Sequence, residues 1–152
     1  MSTYLALAAA DTITGFVPGT GKDIVDHGNN ALKSDDGTVS TVAFLSAAAA
    51  SGFDFTAAAN KTSTMFNFTT QIVGDFTTAA GVLAGVNALV GNASTASNLN
   101  AFVVLHDNQT TSNGLLLHIT EGGGAGIILS EIQVVGVISG MGSTAMVAGN
   151  FA

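Results

Sequence analysis

Residues 98–152 read NLNAFVVLHDNQTTSNGLLLHITEGGGAGIILSEIQVVGVISGMGSTAMVAGNFA, and this stretch decides the fold. Two apolar runs, residues 102–105 and 115–119, flank a loop at residues 107–114 that is made of residues favouring turns. Strand-forming runs separated by a short polar loop predict a β-hairpin at this point of the chain.

Two further apolar runs follow the predicted hairpin. Residues 127–138 come after a cluster of glycines, and residues 146–151 reach almost to the end of the chain. Both runs predict strands, and a strand at the last residues implies a terminus that is packed rather than frayed. The C-terminal strands are therefore expected to close the core.

The residues before the hairpin carry weaker strand patterns. Residues 12–17 predict a short strand that ends at the turn dipeptide Pro18-Gly19. The pair Asp36-Gly37 predicts a tight hairpin turn, and residues 62–73, rich in Thr and Phe, predict a longer strand.

Two alanine-rich stretches predict short helices. They are residues 41–50 and residues 75–90, and in the second Gly81 and Gly85 would allow close packing against a sheet. Nothing in the composition divides the chain, so residues 1–152 are predicted to form a single domain. The expected fold is mainly β, an antiparallel β-sandwich-like domain with two short Ala-rich helices.

The composition excludes several classes of function. Charged residues make up 9% of the chain against roughly 25% in typical domains, while 47% are hydrophobic. Ten acidic and three basic residues give a formal net charge of −7. Without clustered cations the chain is not expected to bind nucleic acid or an anionic membrane surface. The absence of cysteine excludes disulfides and thiolate metal sites.

No segment predicts a secretory signal or a membrane span. The N-terminal apolar patch lacks a basic start, since the first basic residue is Lys22. The best candidate for a span, residues 122–142, is interrupted by Glu131, Gln133 and several glycines, whereas a span needs about 20 apolar residues. Membrane insertion is not expected, and export would require another route.

Several segments resemble one known family. Residues 10–26, ADTITGFVPGTGKDIVD, resemble the A-D-x-I-x-x-F-x-x-G-x-D-x-I stretch that follows the calcium repeats of RTX-type bacterial proteins. Further segments are similar to the C-terminal, post-repeat region of the same proteins: residues 76–91, residues 102–108 with 114–120, and residues 132–138 with 144–151. The resemblance implies export by a type I route, transient contact with the exporter, and an extracellular or cell-surface location. It also implies an uncleaved secretion signal within about residues 98–152.

The calcium repeat of that family does not occur in this sequence. The repeat reads G-G-x-G-x-D-x-U-x, and its Asp binds the ion. Residues 123–129 read GGAGIIL, with Ile128 where the Asp belongs. No calcium-binding β-roll is therefore expected within this chain.

Asp11, Asp23 and Asp26 are the candidate metal ligands. Calcium takes six to eight oxygen ligands, which acidic loops and backbone carbonyls supply, and the resemblance places such aspartates at the edge of the calcium repeats. In the alternative interpretation Asp11 and Asp23 cap turns and Asp26 is solvated. Calcium is the one cofactor that the sequence suggests.

The sequence does not predict an enzyme. It has no G-x-S-x-G nucleophile motif, and the glycines at residues 122–126 lack the lysine and helix of a phosphate loop. His106 and His118 flank the hairpin loop, with Val103 expected opposite His118, but zinc needs three or four ligands. Four residues begin N-x-[ST] sequons, namely Asn60, Asn67, Asn92 and Asn108.

Three functions are compatible with these patterns. The first is an extracellular structural protein, a self-assembling subunit of a bacterial surface filament, layer or matrix whose partners are copies of itself. Few charges and a terminal strand available for edge pairing favour it. The alternative is a C-terminal capping and secretion module of a larger calcium-binding RTX-type protein. A surface- or carbohydrate-binding β-sandwich ranks third, because one Tyr and no Trp leave little to stack on sugars.

Overall fold

A computed structural model describes residues 11–19, 21–26, 32, 44–47, 53–55, 57–58, 60–92, 99–121, 127–141 and 146–151. Within these residues one α-helix, α1 (Ala79–Asn92), packs against one six-stranded sheet. The strands are β1 (Asp11–Thr14), β2 (Phe44–Ala47), β3 (Met65–Ile72), β4 (Asn100–Asp107), β5 (Gly114–Thr120) and β6 (Ile132–Ser139). Their order across the sheet is β1-β6-β5-β4-β3-β2.

The hairpin predicted from residues 102–119 is confirmed. β4 and β5 pair antiparallel across the polar loop, and β5 pairs antiparallel with β6. The register differs by one residue from the sequence expectation, since Phe102 rather than Val103 lies opposite His118. A one-residue shift moves a side chain to the other face of the sheet. His118 therefore shares a face with Phe102, and the two rings stack with centroids 4.8 Å apart.

The sheet is mixed rather than antiparallel. β1 pairs parallel with β6, and β2, β3 and β4 pair parallel with one another in turn. It follows that β5 alone runs opposite to the other described strands. The mainly β class is confirmed, whereas antiparallel pairing is limited to β4, β5 and β6. No second sheet occurs among the described residues, and the sandwich stays a prediction.

The helix predicted at residues 41–50 is wrong, because Phe44–Ala47 form strand β2. In this strand Phe44 and Leu45 join apolar clusters on opposite faces of the sheet. Burial on both faces outweighs the helix propensity of alanine, which differs from that of most residues by less than about 0.7 kcal/mol. The predicted turn at Asp36-Gly37 lies outside the described residues.

The second predicted helix is confirmed, but α1 begins one turn later than expected. The preceding turn is held by the Asp75 carboxylate, which accepts hydrogen bonds from the N–H and the hydroxyl of Thr77 at 2.8 and 2.6 Å. At Gly85 the helix lies close against the sheet: a Cβ there would be 2.9 Å from the Phe76 ring and 3.0 Å from Leu115 of β5. The predicted role of Gly85 in close packing is confirmed.

Apolar side chains are buried on both faces of the sheet. The face under α1 carries the helix-side cluster, which includes Phe66, Phe68, Phe76, Val82, Val86, Leu89, Val103, Leu105, Leu115 and Leu117. The opposite face carries the second cluster, which comprises Phe16, Leu32, Met65, Phe102, Val104, Leu116, Ile138, Met141, Met146 and Phe151. Met146 and Phe151 thus belong to the core and Asn150 is buried, whereas Ala148 and Gly149 are exposed. The strand predicted at residues 146–151 is wrong, because this segment forms a 3₁₀ turn (Ala148–Asn150) and a single bridge.

Candidate assembly site

The outermost strands of the sheet, β1 and β2, are short and lie at opposite edges. Each has four residues, and among the described residues each pairs with one neighbour, β1 with β6 and β2 with β3. An edge strand offers a row of backbone N–H and C=O groups to a further strand. These two edges are the candidate sites for association with another chain.

β1 lies close to β6 because its neighbour there is a glycine. Asp11 is beside Gly136, and a Cβ on Gly136 would lie 2.7 Å from the carbonyl oxygen of Asp11. Asp11, Thr12 and Thr14 are exposed, whereas Ile13 is half-buried against the second cluster. One apolar side chain anchors β1, and its polar side chains face solvent.

β2 is anchored from both faces of the sheet and contains no charged residue. The ring of Phe44 lies in the second cluster, with its centroid 5.9 Å from that of Phe151. Leu45 packs against the helix-side cluster, and Ser46 is exposed. The two edges therefore differ in charge, since β1 carries a carboxylate and β2 does not.

The loop that follows β1 is closed by Asp23. Its carboxylate accepts a hydrogen bond from the N–H of Val17 at 2.8 Å, and its own N–H donates to the Val17 carbonyl at 3.2 Å. Asp23 therefore shapes this loop in the way that the turn-capping interpretation predicts. The loop leaves two apolar side chains in solvent, Val17 at 49% and Ile24 at 56% exposure.

Asn150, which is completely buried, fastens the same loop to the C-terminal residues. Its Oδ1 accepts from the N–H groups of Gly19 and Val147, both at 3.0 Å, and its Nδ2 donates to the carbonyls of Gly19 at 3.2 Å and Asp23 at 2.7 Å. The backbone N–H of Val25 donates to the Asn150 carbonyl at 2.7 Å. Every hydrogen-bonding position of the amide is in use, and the packed C-terminus predicted from the sequence is confirmed.

The three aspartates proposed as calcium ligands have separate surroundings. Asp11 lies in β1, Asp23 closes the loop through Val17, and Asp26 follows the bridge residue Val25. Among the described residues no group of three or more His, Cys, Asp or Glu side chains is placed so that it could hold a metal ion. Calcium binding stays a prediction.

A second buried polar junction lies at the hairpin loop and centres on Asp107, which has no exposed surface. Its carboxylate accepts from the N–H of Phe76 at 3.1 Å, from the N–H of Gln109 at 3.2 Å, and from the N–H and Nδ2 of Asn113 at 2.8 and 2.7 Å. Asn113 in turn accepts from the N–H of Gly140 at 3.0 Å. Asp107 thus ties the start of the helix and the end of β6 to the hairpin, which is a structural role.

The sequence gives little sign of either junction. Asp107 and Asn150 are single polar residues at the ends of apolar runs. One partner of Asp107, Phe76, is 31 residues away, and Asn150 reaches Gly19 and Asp23, which are 131 and 127 residues away. Each junction has one local sequence signal. Asp107 directly precedes a loop of Asn, Gln, Thr and Ser, and Asn150 lies in a segment bounded by the buried apolar residues Met146 and Phe151.

The two described histidines form separate pairs with asparagines. His106 Nε2 lies 3.0 Å from Asn67 Oδ1, and His118 Nε2 lies 2.6 Å from Asn100 Oδ1. Burial lowers the pKa of His106, an effect partly opposed by the charge of Asp107, and burial also lowers the pKa of His118. Each imidazole is thus held by one asparagine amide, which is a structural arrangement.

The sequons differ in accessibility. Asn67 is completely buried, and Asn60 uses its Nδ2 in a 2.6 Å hydrogen bond to the Asp54 carbonyl. Asn108 is exposed on the hairpin loop, where its Oδ1 accepts from the N–H of Gly74 at 3.1 Å. The side chain of Asn92, His27 and the glycines at residues 122–126 lie outside the described part of the chain.

Comparison with protein-family models, with curated proteins and with solved structures found no match. Among the described residues no helix is both long and apolar enough to cross a lipid bilayer. A function for this chain therefore has to be argued from its sheet, its edges and its charge.

Proposed function

We propose that the chain is an extracellular structural protein, a self-assembling subunit of a bacterial surface filament, layer or matrix that is exported by a type I route. One observation carries this proposal. Both faces of the sheet hold buried clusters, whereas among the described residues each outermost strand pairs on one side only. The edges are thus the places where backbone hydrogen bonding can extend to another copy.

The charge of the chain supports association under extracellular conditions. Only 9% of the residues are charged, so packing two copies together requires little desolvation of ions. The net charge of −7 is a long-range repulsion between copies. At physiological ionic strength this repulsion is screened beyond about 8 Å. Assembly is therefore expected to be favoured by salt and to be weak at low ionic strength.

The export route rests on the resemblance to RTX-type proteins. In that resemblance the secretion signal lies within about residues 98–152. In the folded protein this region contributes three strands and the buried Asn150 and Phe151. A signal located here would be accessible in the unfolded chain and covered after folding, which suits recognition by an exporter before the protein folds outside the cell.

Electron microscopy of the purified protein tests the proposal. The protein is raised to high concentration in physiological salt, with and without a calcium chelator, and examined by negative stain and by analytical ultracentrifugation. Ordered polymers in both samples support the subunit function. A monodisperse monomer in both samples would reject it.

A second candidate is favoured by one observation. The first described strand, β1, lies at an outer edge of the sheet, and the acidic segment with Asp11, Asp23 and Asp26 lies at the same edge. A preceding calcium-repeat domain could continue from that edge, which fits a capping and secretion module. If the protein stays monomeric and raises the stability of a calcium-repeat domain attached before β1, the capping and secretion module is supported.

A further inference from the structure

The two outermost strands run in the same direction. β1 is parallel to β6, and β2 is parallel to β3 and β4. β6 and β4 both run opposite to β5, so they are parallel to each other. A copy of the domain shifted sideways along the sheet, and turned only by the twist of the sheet itself, therefore brings its β2 beside the β1 of its neighbour as a parallel pair.

We propose that copies associate head to tail, with β1 of one subunit beside β2 of the next, so that one sheet continues through a polar filament. This inference rests on the proposed function of self-assembly. In a contact between β1 of one subunit and β2 of the next, the first subunit keeps its β2 edge and the second keeps its β1 edge for a further contact. Each added copy exposes a new edge of the same kind, so growth continues without closing.

Charge favours this contact over pairing between two β1 edges, which a polymer built from identical edges would require. β1 carries Asp11, and the loop that follows it carries the exposed Asp23 and Asp26 with only Lys22 of opposite sign. A two-fold contact of β1 with β1 would bring two acidic edges together, which is unfavourable. β2 contains no charged residue. The acidic edge therefore meets least repulsion at the β2 edge of another copy.

The faces of the two edge strands also match. Ile13 lies in the second cluster beside Ile138, so Asp11, two residues earlier, points to the same face. Phe44 lies in the second cluster as well, so Ser46 points to that face. In a continuous sheet, Asp11 of one copy and Ser46 of the next are neighbours on one face, either directly opposite or one diagonal apart, which is within about 8 Å.

The inference fixes the dimensions of the filament. Neighbouring strands are about 4.8 Å apart, so the six strands that the structure describes give an axial repeat of about 29 Å per subunit. Adjacent strands are rotated by roughly −20° to −25°, which accumulates to roughly −120° to −150° per subunit. All subunits point the same way along the filament.

Two opposite charge changes at Ser46 test the contact. Ser46→Asp places a second carboxylate near Asp11 of the neighbouring copy, and Ser46→Lys places an ammonium there. The controls are Thr110→Asp and Thr110→Lys, because Thr110 is exposed on the hairpin loop and gives the same net charges away from both edges. The readout is the critical concentration for polymer formation, measured by sedimentation, with thermal unfolding of each monomer as the folding check.

Relative to its Thr110 control, Ser46→Asp is expected to raise the critical concentration about two- to fivefold, and Ser46→Lys to lower it by a similar factor. Asp11→Asn should cancel most of the Ser46→Asp effect, because it removes the opposing charge. If the Ser46 variants behave like their Thr110 controls, β2 is not the contact and the inference is wrong.

Cryo-electron microscopy of the polymers provides the second test. A polar helix with a rise near 29 Å supports the inference. A two-fold repeat near 58 Å, twice that distance, indicates pairing between identical edges and overturns it while the subunit function stands. Absence of any polymer overturns both.

Discussion

Replacing Asn150 tests how the chain ends are held together. The amide takes part in four hydrogen bonds inside the protein, and the residue has no exposed surface. Asn150→Ala removes all four and leaves backbone groups of Gly19, Asp23 and Val147 without this partner. At about 1 kcal/mol net per hydrogen bond, the free energy of unfolding should fall by about 4 kcal/mol.

Asn150→Asp tests the donors of the amide separately from its acceptor, because the substitution keeps the acceptor oxygen and removes the two N–H donors. The carboxylate keeps an acceptor for the N–H groups of Gly19 and Val147, but its second oxygen faces the carbonyls that Nδ2 reaches at 3.2 and 2.7 Å. A buried charge without a donor on that side should cost about 3–5 kcal/mol at pH 7. Burial raises the folded pKa of such a carboxyl, so the unfolded state binds fewer protons near pH 5. The deficit should shrink as the pH falls towards 4.

Urea denaturation measured at several pH values is the assay, with the slope of each transition checked for a constant m-value. The matched control is Asn87, which is exposed on α1. Asn87→Ala and Asn87→Asp should each change stability by less than about 0.5 kcal/mol. An Asn150→Ala protein within 1 kcal/mol of the parent, or an Asn150→Asp deficit that does not depend on pH, would refute the assigned role of the amide.

Three further predictions concern the hairpin and the helix. Asp107→Asn should lower the free energy of unfolding, measured by urea denaturation, by about 3 kcal/mol. Both carboxylate oxygens accept from N–H groups, so the NH₂ group that replaces one of them would face donors instead of acceptors. A change below about 1 kcal/mol would contradict this. Burial holds the pKa values of His106 and His118 below the ordinary 6.5. The unfolded state therefore binds protons first, and stability should fall as the pH drops below about 6.5; His106→Gln should flatten that slope in pH-dependent unfolding curves. Gly85→Ala should destabilise by about 1–2 kcal/mol despite its gain in helix propensity, because the added Cβ meets the Phe76 ring; thermal melting against Asn87→Ala checks this.

The parts of the fold that the sequence predicts are those determined by neighbouring residues. The hairpin follows from two apolar runs around a polar loop, and α1 follows from helical periodicity after Asp75. The alanine-rich composition of residues 41–50 predicts a helix, whereas pairing with β3 makes Phe44–Ala47 a strand. Local propensity carries no information on such a partner.

The candidate site was harder to predict for the same physical reason. β1 pairs with β6, where Asp11 and Gly136 are 125 residues apart, and β2 pairs with β3, where Phe44 and Met65 are 21 residues apart. These non-local contacts determine which strands are outermost. Asn150 is 131 residues from Gly19, its hydrogen-bond partner. The sequence indicates that a terminal segment is available for edge pairing. In the structure Met146, Asn150 and Phe151 are instead buried, and the outermost strands among the described residues are β1 and β2.

The position of Asn150 links folding of the C-terminus to the proposed assembly. Its amide fixes the loop that directly follows β1, and β1 is one of the two strands that would join neighbouring copies. Loss of the amide should therefore raise the critical concentration for polymer formation, although the sequences of β1 and β2 are unchanged. The critical concentrations of Asn150→Ala and of its control Asn87→Ala are compared by sedimentation under conditions where both variants remain folded. Equal critical concentrations would mean that the β1 edge keeps its geometry without the amide of Asn150.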